Sequence, residues 1–479
     1  MAPGHLLPMV DVAKLLGRHP NVKVTIITTP LNAVRFRATV DREIQSGSLI
    51  QVLQVQFPHA ECGIPEGCES LDTLSSMDHQ VKFFTAVSKL QQAVEELFRE
   101  LKPSPSCMVC DKYIPWLAET ANKFRIPRII FDGTNCFNLL CNHNLRVSKV
   151  FESVSDYELL VVPGMPHKIE FSKSQLPGPF NPATNPEFFA FLDQVRVAEK
   201  EAYGIVVNSF EELEPEYAKE CRRVTGHKIW CIGPVSLLNK DNLDKAQRGK
   251  RDSSHDASQY LKWLDSWPPS SVIYVCLGSL NRVTPEQLIE LGLGLELTNR
   301  PFMWVIKARG SYRKEETEKL LLENGFEERV KGRGVLIRDW APQLLILSHR
   351  AIGAFLTHCG WNSTLEGICA GVPLITFPLF AEQFYNEKVV LQILETGVKV
   401  GGEKVQYIGQ EEKNGVQVKK ENVKEAIEKV MGQGEEKEKR RARARHYAKM
   451  AEKAIEKGGS SYHNMSVLIE DIKQKLNHS

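Results

Sequence analysis

Short apolar runs of strand length alternate with helical stretches along this chain, and the whole alternation occurs twice. In the first half the runs at 22–28, 50–56, 107–111, 128–131 and 204–208 read as buried strands, separated by helical stretches such as 71–101 and 115–124. The second half restarts with runs at 272–277, 302–306, 335–338, 352–356 and 373–377. Runs that are apolar throughout, rather than on alternate residues, are strands covered on both faces, and a strand–helix–strand order makes them parallel. The expected fold is therefore α/β, with two Rossmann-like parallel-sheet domains facing across a cleft. A length of 479 residues also exceeds one ordinary core. The first domain is placed at 1–238 and the second at 259–450. Between them, 239–258 is polar, charged and without periodicity, and reads as an exposed linker.

Composition narrows the function classes. The formal net charge is only +2, which implies no nucleic-acid partner. The basic run at 437–445 is interspersed with Glu and Ala and reads as a solvated helix face. No apolar stretch of membrane-spanning length or signal peptide is evident, so a cytoplasmic protein without stable membrane insertion is expected. Eleven cysteines, an odd number, point to free thiols in a reducing compartment. Cys107 and Cys110 form a C-x-x-C, but on an apolar strand rather than at the mouth of a helix, so they read as packed thiols.

The densest chemistry lies at 340–383. Residues 353–357 make an apolar strand and 362–371 carry the start and stop residues of a helix, which leaves His358, Cys359 and Gly360 in the loop between. A helix N-terminus offers unpaired N–H groups and the positive end of a dipole, where phosphate oxygens bind. Ser363 and His358 add a hydroxyl and an imidazole. Glu366 lies about one turn beyond Asn362 on the same face, placed to accept both hydroxyls of a ribose. Trp340, followed by Ala341, offers a ring for a flat base whose edge Gln343 can read. A second strand exit, Leu277-Gly278-Ser279, belongs in the same cleft, because ligands gather at the carboxyl ends of parallel strands; Ser279 and His358 would share the diphosphate. Strand–turn–helix units are also common in purely structural roles, and Asn362-Ser363-Thr364 matches a glycosylation sequon. Taken together, however, the residues describe a nucleotide-diphosphate sugar site.

From Trp340 through Gln383, without a gap, this segment resembles the signature box of plant family-1 UDP-dependent glycosyltransferases (W-A-P-Q, T-H-C-G-W-N-S-T-L-E-G, G-V-P-L-I-T-F-P, A-E-Q). The resemblance implies a GT-B fold in which the last helices, at 451–479, cross back to brace the first domain. It implies a UDP-sugar as co-substrate, no cofactor, and a chain acting as a monomer. Glu382 and Gln383 would bind sugar hydroxyls, with the Trp361 backbone and Thr134 near the far edge. A final Gln accompanies glucose donors in the family, so UDP-glucose is expected. No Asp-x-Asp pair is present to hold a diphosphate-bound metal, which leaves dipoles, hydroxyls and His358 to carry the charge of leaving UDP.

Transfer also needs a base. His5, in Pro3-Gly4-His5-Leu6-Leu7-Pro8, opens a helix running to about Leu16, and Asp111 ends a strand that should neighbour it. A His–Asp pair orients the imidazole and stabilises its charged form, and both residues match the family's general base and its partner. The resulting reaction is a direct displacement that inverts the anomeric centre. For the acceptor, a small hydrophobic molecule, Phe84, Phe137 and Phe180 are pocket candidates that ordinary core packing explains equally well. Gly63-Ile-Pro-Glu-Gly-Cys68 and Gly133-Thr-Asn-Cys-Phe-Asn resemble the branch acting on triterpenoids, steroids and flavonoids.

The start departs from the family. Relatives carry an apolar strand before the Gly-His turn, so the first strand of the N-terminal sheet is expected to be missing and His5 to be poorly anchored. A non-catalytic UDP-sugar-binding protein is the alternative on that ground. An NAD-dependent epimerase would need a Gly-rich fingerprint and a Tyr-x-x-x-Lys pair, which the sequence lacks.

Overall fold

The computed structural model describes residues 2–74, 79–180, 186–249, 257–280, 283–306, 314–323, 325–338, 340–406 and 415–477. Residues 250–256 of the expected linker lie outside the described residues.

In chain order the first half supplies β1 (Val24–Thr28), β2 (Ile50–Gln54), β3 (Met108–Asp111), β4 (Arg128–Asp132), β5 (Leu159–Val161), β6 (Glu170–Ser172), β7 (Gly204–Val207) and β8 (Lys228–Cys231). All residues of β4 and β7 are buried, as expected for strands covered on both faces. Strands β3-β4-β7-β8 form one parallel sheet, β1 and β2 a separate parallel ladder, and β5 and β6 a short antiparallel ribbon. Among the described residues, β1 and β3 each pair on one edge only, so the parallel strands of the first half form two ladders. The helix Pro3–Gly17 spans both. Its Val10 joins the core of Ala33, Phe36, Val40 and Ile50, while Val12 joins that of Ile129, Phe131 and Val206.

The second half supplies β9 (Val272–Cys276), β10 (Phe302–Ile306), β11 (Gly334–Arg338), β12 (Ile352–Thr357), β13 (Leu374–Thr376) and β14 (Gly397–Lys399), in one parallel sheet of order β11-β10-β9-β12-β13-β14. This is the expected α/β architecture. At the end of the chain, Met465, Leu468, Ile469 and Ile472 of the helix Ser460–Asn477 enter the first-half core beside Trp230. Removing each such side chain from water contributes about 1.5–3 kcal/mol, which is why the chain returns.

Three sequence expectations change. The stretch 71–101 is a 3₁₀ turn, Leu71–Thr73, followed by helices Gln80–Ser88 and Gln91–Glu100. The segment 239–249 is not an exposed linker: Asn242–Gln247 is a helix, and Asn239 and Asp244 are buried. Its charges look solvated in sequence but find partners far along the chain, Lys14 donating to Asn239 at 2.9 Å and Arg42 bridging to Asp244. The third concerns His5 and is taken up below.

All eleven cysteines are free thiols, and burial pushes Cys107 and Cys110 up to about 11. Among the described residues no helix is long and apolar enough to cross a membrane.

Candidate active site

Parallel sheets deliver their strand ends to one side, and here both sheets deliver them to the same cleft. Strand β3 ends on Asp111 and β4 on Asp132; β9 runs out to Gly278-Ser279 and β12 to His358.

His5 sits in the first turn of its helix, whose N1 residue is Pro3. Its Nδ1 stands 3.1 Å from Asp111 Oδ2, with the imidazole about one quarter exposed and the carboxylate buried. The ring is turned so that this contact is an ion-pair approach rather than an aligned hydrogen bond; catalytic pairs commonly align only around substrate. Asp111 Oδ1 accepts from the Tyr113 N–H at 2.9 Å, and the Tyr113 ring meets His5 edge-on at 5.4 Å. Burial works against a protonated His5, but Asp111 outweighs it and holds the imidazole above its ordinary 6.5. Asn362 also donates to the Gly4 carbonyl. His5 is therefore well anchored, contrary to the sequence expectation, because side chains from both halves fix its turn.

Beside it lies a second buried pair. Lys112 Nζ is 2.7 Å from Asp132 Oδ2, and Asp132 Oδ1 accepts from the backbone N–H and the hydroxyl of Thr134, at 3.0 and 2.7 Å. Glu382 faces this group: burial raises its carboxyl, while His5 and Lys112 pull it down. Gln383 is buried, and its side-chain oxygen accepts from the Leu379 and Phe380 N–H groups at 2.8 and 3.0 Å. Only its amide nitrogen is then left for a sugar.

The opposite wall is the helix Trp361–Cys369, with Gly360 at its N-cap. His358 is wedged between two glycines: a Cβ on Gly278, whose φ is +82°, or on Gly360 would run into the ring. That contact brings the β9 exit, with the exposed Ser279, against His358. Burial pulls His358 down to about 4, so it is a neutral hydrogen-bonding group at pH 7, and its Nδ1 has no protein partner among the described residues. Cys359 is held in the left-handed region at φ 64°, with its carbonyl accepting from Asn386 at 2.8 Å. Gln343 Nε2 donates to Ser363 Oγ at 3.0 Å and to Glu366 Oε2 at 2.7 Å. Ala341 accepts the Gln343 N–H at 2.8 Å, and Trp340 beside it is half-buried. Trp361 is a structural anchor by its side chain, its indole donating to the Asn208 carbonyl at 2.8 Å.

Next to His5 opens a cavity of about 860 Å³. Tyr113, Trp116, Phe84, Phe188 and Phe191 line it together with the carboxylates of Glu119, Glu187, Asp193 and Glu201, and among the described residues no Lys, Arg or His does. Of the three candidate phenylalanines only Phe84 belongs there, stacked on Phe191 at 4.1 Å. Phe137 and Phe180 are core, 0 and 3% exposed. The sequence reading missed Tyr113, two residues beyond Asp111, and the Phe188/Phe191 pair at helical spacing. It also missed Asn135, Asn138 and Asn386, buried amides that join the halves at 3.0 Å.

Residues 248–434 match the family model for UDP-glucoronosyl and UDP-glucosyl transferase. UDP-glycosyltransferase 73C3 of Arabidopsis thaliana is 49% identical over 476 residues, spanning 99% of this chain and 95% of that protein. The chain belongs to the plant family-1 UDP-glycosyltransferases. The glycosyltransferase is likewise 48% identical to UDP-glycosyltransferase 73C11 of Barbarea vulgaris over 477 residues, with 99% and 95% of the two chains covered. Among solved structures it is similar to UGT73P12 of Glycyrrhiza uralensis complexed with glycyrrhetinic acid 3-O-monoglucuronide, with TM-score 0.91, 37% identity, and 100% and 96% of the chains covered. It is also similar to UGT2 of Phytolacca americana complexed with UDP-2fluoro-glucose and pterostilbene, with TM-score 0.75, 26% identity, and 98% and 97% covered. As a family member it takes a UDP-sugar as co-substrate, without a metal, and acts on small metabolites. Full-length enzyme relatives speak against both the binding-only and the epimerase readings.

Proposed function

We propose that the glycosyltransferase moves glucose from UDP-glucose, with inversion, to a hydroxyl of a neutral hydrophobic plant metabolite such as a triterpenoid, steroid or flavonoid, acting as a monomer. The observation that carries this reading is Tyr113, which touches His5 and lines the aromatic cavity, so that an acceptor held there presents its hydroxyl to the base. A cavity that mixes aromatic rings with Glu119, Glu187, Asp193 and Glu201 and offers no cation disfavours an anionic acceptor, which supports a neutral one. Its size suits bulky ligands like those complexed with the two structural neighbours, glycyrrhetinic acid 3-O-monoglucuronide and pterostilbene.

On the donor side, Trp340 stacks on uracil with Ala341 and Gln343 at its edge, and Glu366 accepts the ribose hydroxyls. Ser279, His358, Asn362 and Ser363 hold the diphosphate at the helix N-terminus. Glu382, the Gln383 amide nitrogen and Thr134 bind the sugar. The acceptor O–H loses its proton to His5 as the oxygen forms a bond to the anomeric carbon; the bond to the diphosphate oxygen breaks, and UDP leaves with its electron pair. Asp111 stabilises the imidazolium that results. The test is to offer UDP-glucose, UDP-glucuronate and UDP-xylose with a panel of aglycones and follow UDP release. Glucose transfer that His5→Ala abolishes while UDP still binds is the expected result. Preference for another donor would overturn the glucose assignment, and full activity in His5→Ala would overturn the base.

A further inference from the structure

A line of amides runs from the first half of the molecule to the turn at 358–360. The backbone N–H of Asn138, in the first turn of the helix Cys136–Ser148, donates to Oδ1 of the N-cap residue Asn135 at 2.8 Å. Asn135 Nδ2 donates to Asn386 Oδ1 at 3.0 Å, and Asn386 Nδ2 donates to the Cys359 carbonyl at 2.8 Å. Asn138 Nδ2 reinforces the middle link, reaching the same Asn386 oxygen at 3.0 Å. Asn135 and Asn386 are fully buried and Asn138 is 1% exposed, so no solvent replaces a lost partner.

The direction of the line is fixed at both ends. A backbone N–H only donates and a carbonyl only accepts, which leaves the Asn135 and Asn386 amides between them one consistent orientation. Asn386, in the helix Gln383–Lys388, is thus turned the right way round by a helix of the opposite half. What it holds is Cys359, whose φ of 64° is a conformation that a residue with a side chain seldom adopts unless its surroundings impose it. Gly360 caps the helix Trp361–Cys369, so the backbone at 359 aims the first N–H groups of that helix. The helices that begin at Cys136, Trp361 and Gln383 also share one core, through Phe137, Leu365 and Phe384.

We infer that Asn386 is a positioning residue for the diphosphate: acting through the Cys359 carbonyl it keeps the 358–360 turn in its phosphate-binding shape, and Asn135 of the first half sets the direction in which it does so. The inference rests on the reading of this turn and Ser363 as the diphosphate site. Asp in place of Asn135 keeps the cap oxygen but turns the donor into an acceptor. Asn386 then turns over and presents its oxygen to the Cys359 carbonyl; Asn138, whose Oδ1 has no protein partner among the described residues, turns with it. Ser in place of Asn135 still caps the helix, but Asn138 continues to orient Asn386.

Calorimetric titration of the full chain and its variants with UDP and with uridine tests this, because uridine carries no phosphate. Asn386→Ala and Asn135→Asp should each weaken UDP by on the order of tenfold, the scale of one lost hydrogen bond, and leave uridine unchanged. Asn135→Ser should lose clearly less than Asn135→Asp. In the Asn386→Ala background Asn135→Asp should cost UDP nothing more, since the amide it reverses is gone. Unchanged UDP affinity in Asn386→Ala or Asn135→Asp that still melts cooperatively overturns the proposal. So does an equal loss for UDP and uridine, or an equal loss in the two variants of position 135. Ser363→Ala separates the two readings: if it weakens UDP while Asn386→Ala does not, the positioning role alone fails, and if neither weakens UDP the diphosphate reading fails with it. Should the asparagine variants not fold, the unaltered chain decides, because coupling between sites is reciprocal. UDP, but not uridine, should slow hydrogen exchange of the amides at 136–139, and equal exchange with the two ligands would overturn the proposal.

Discussion

At the scale of single residues, His5 and Asp111 make a titrating pair whose sign can be worked out. Burial disfavours the imidazolium, the Asp111 carboxylate favours it more strongly, and the outcome lies above 6.5. A base must be neutral to accept a proton, so a raised value moves the acidic limb of the kcat/KM profile toward higher pH, to a midpoint above 6.5. Asp111→Asn removes the group responsible; the limb should move to lower pH and kcat fall by about 10²–10⁴-fold. A limb that stays in place would show that Asp111 does not set the imidazole. A second residue-scale prediction concerns Gly278. Its φ of +82° and the His358 ring carbon 2.9 Å from a built Cβ mean that Gly278→Ala must displace the imidazole. Misplacement of a positioned group by about 1 Å costs on the order of 10²-fold. UDP turnover should fall accordingly while the affinity for uridine, which has no phosphate, is kept. Of these residues, His5, Asp111 and His358 stood out in sequence as site candidates, because a tight Gly turn and the ends of parallel strands place polar groups at one edge of a sheet. Tyr113 did not, since a tyrosine beyond a strand is equally a core residue until the helices beside it are in place.

At the scale of elements, the strands of the second sheet were the most legible, 302–306 matching Phe302–Ile306, because long apolar runs bounded by turn residues leave few alternatives. Three-residue β14 and the β5–β6 ribbon were not, since so short a run has no period. Gly292 and Gly294 of the helix Pro285–Leu297 are packing positions. A Cβ on Gly294 would lie 2.8 Å from Val423 Cγ1 and 2.9 Å from the Lys420 carbonyl, so the helices Pro285–Leu297 and Lys420–Met431 touch at backbone distance there. Gly294→Ala overpacks that contact and should cost about 1–3 kcal/mol. Urea denaturation should show a lower midpoint at unchanged slope, with kcat per folded molecule intact because the strand ends do not move. An equal loss in kcat would place this contact in the path that positions the donor wall.

For the whole molecule, the segment 239–249 and the returning C-terminal helix decide how two cores become one catalyst. Charge pattern alone presents 239–249 as solvated. Its partners, Asp11, Lys14, Arg42 and Glu366, are so distant in sequence that no local period could announce them. The helix Ser460–Asn477 was legible only through family resemblance, since an amphipathic helix does not say which face it covers. It backs the first-half sheet, whose strand ends carry Asp111 and Asp132, while Glu366 and His358 stand on the second core. The proposed base and the proposed donor wall therefore draw on different buried surfaces. Leu468→Ala, at a site 2% exposed, should cost about 2–5 kcal/mol and loosen the first sheet selectively. Amides of β4, β7 and β8 should lose exchange protection before those of β9 and β12, and kcat should fall with UDP affinity nearly unchanged. Parallel loss of protection in both sheets, together with weakened UDP binding, would instead mean that the buried Asn135–Asn386, Trp361–Asn208 and Arg248–Glu366 contacts bind the two cores into one cooperative unit.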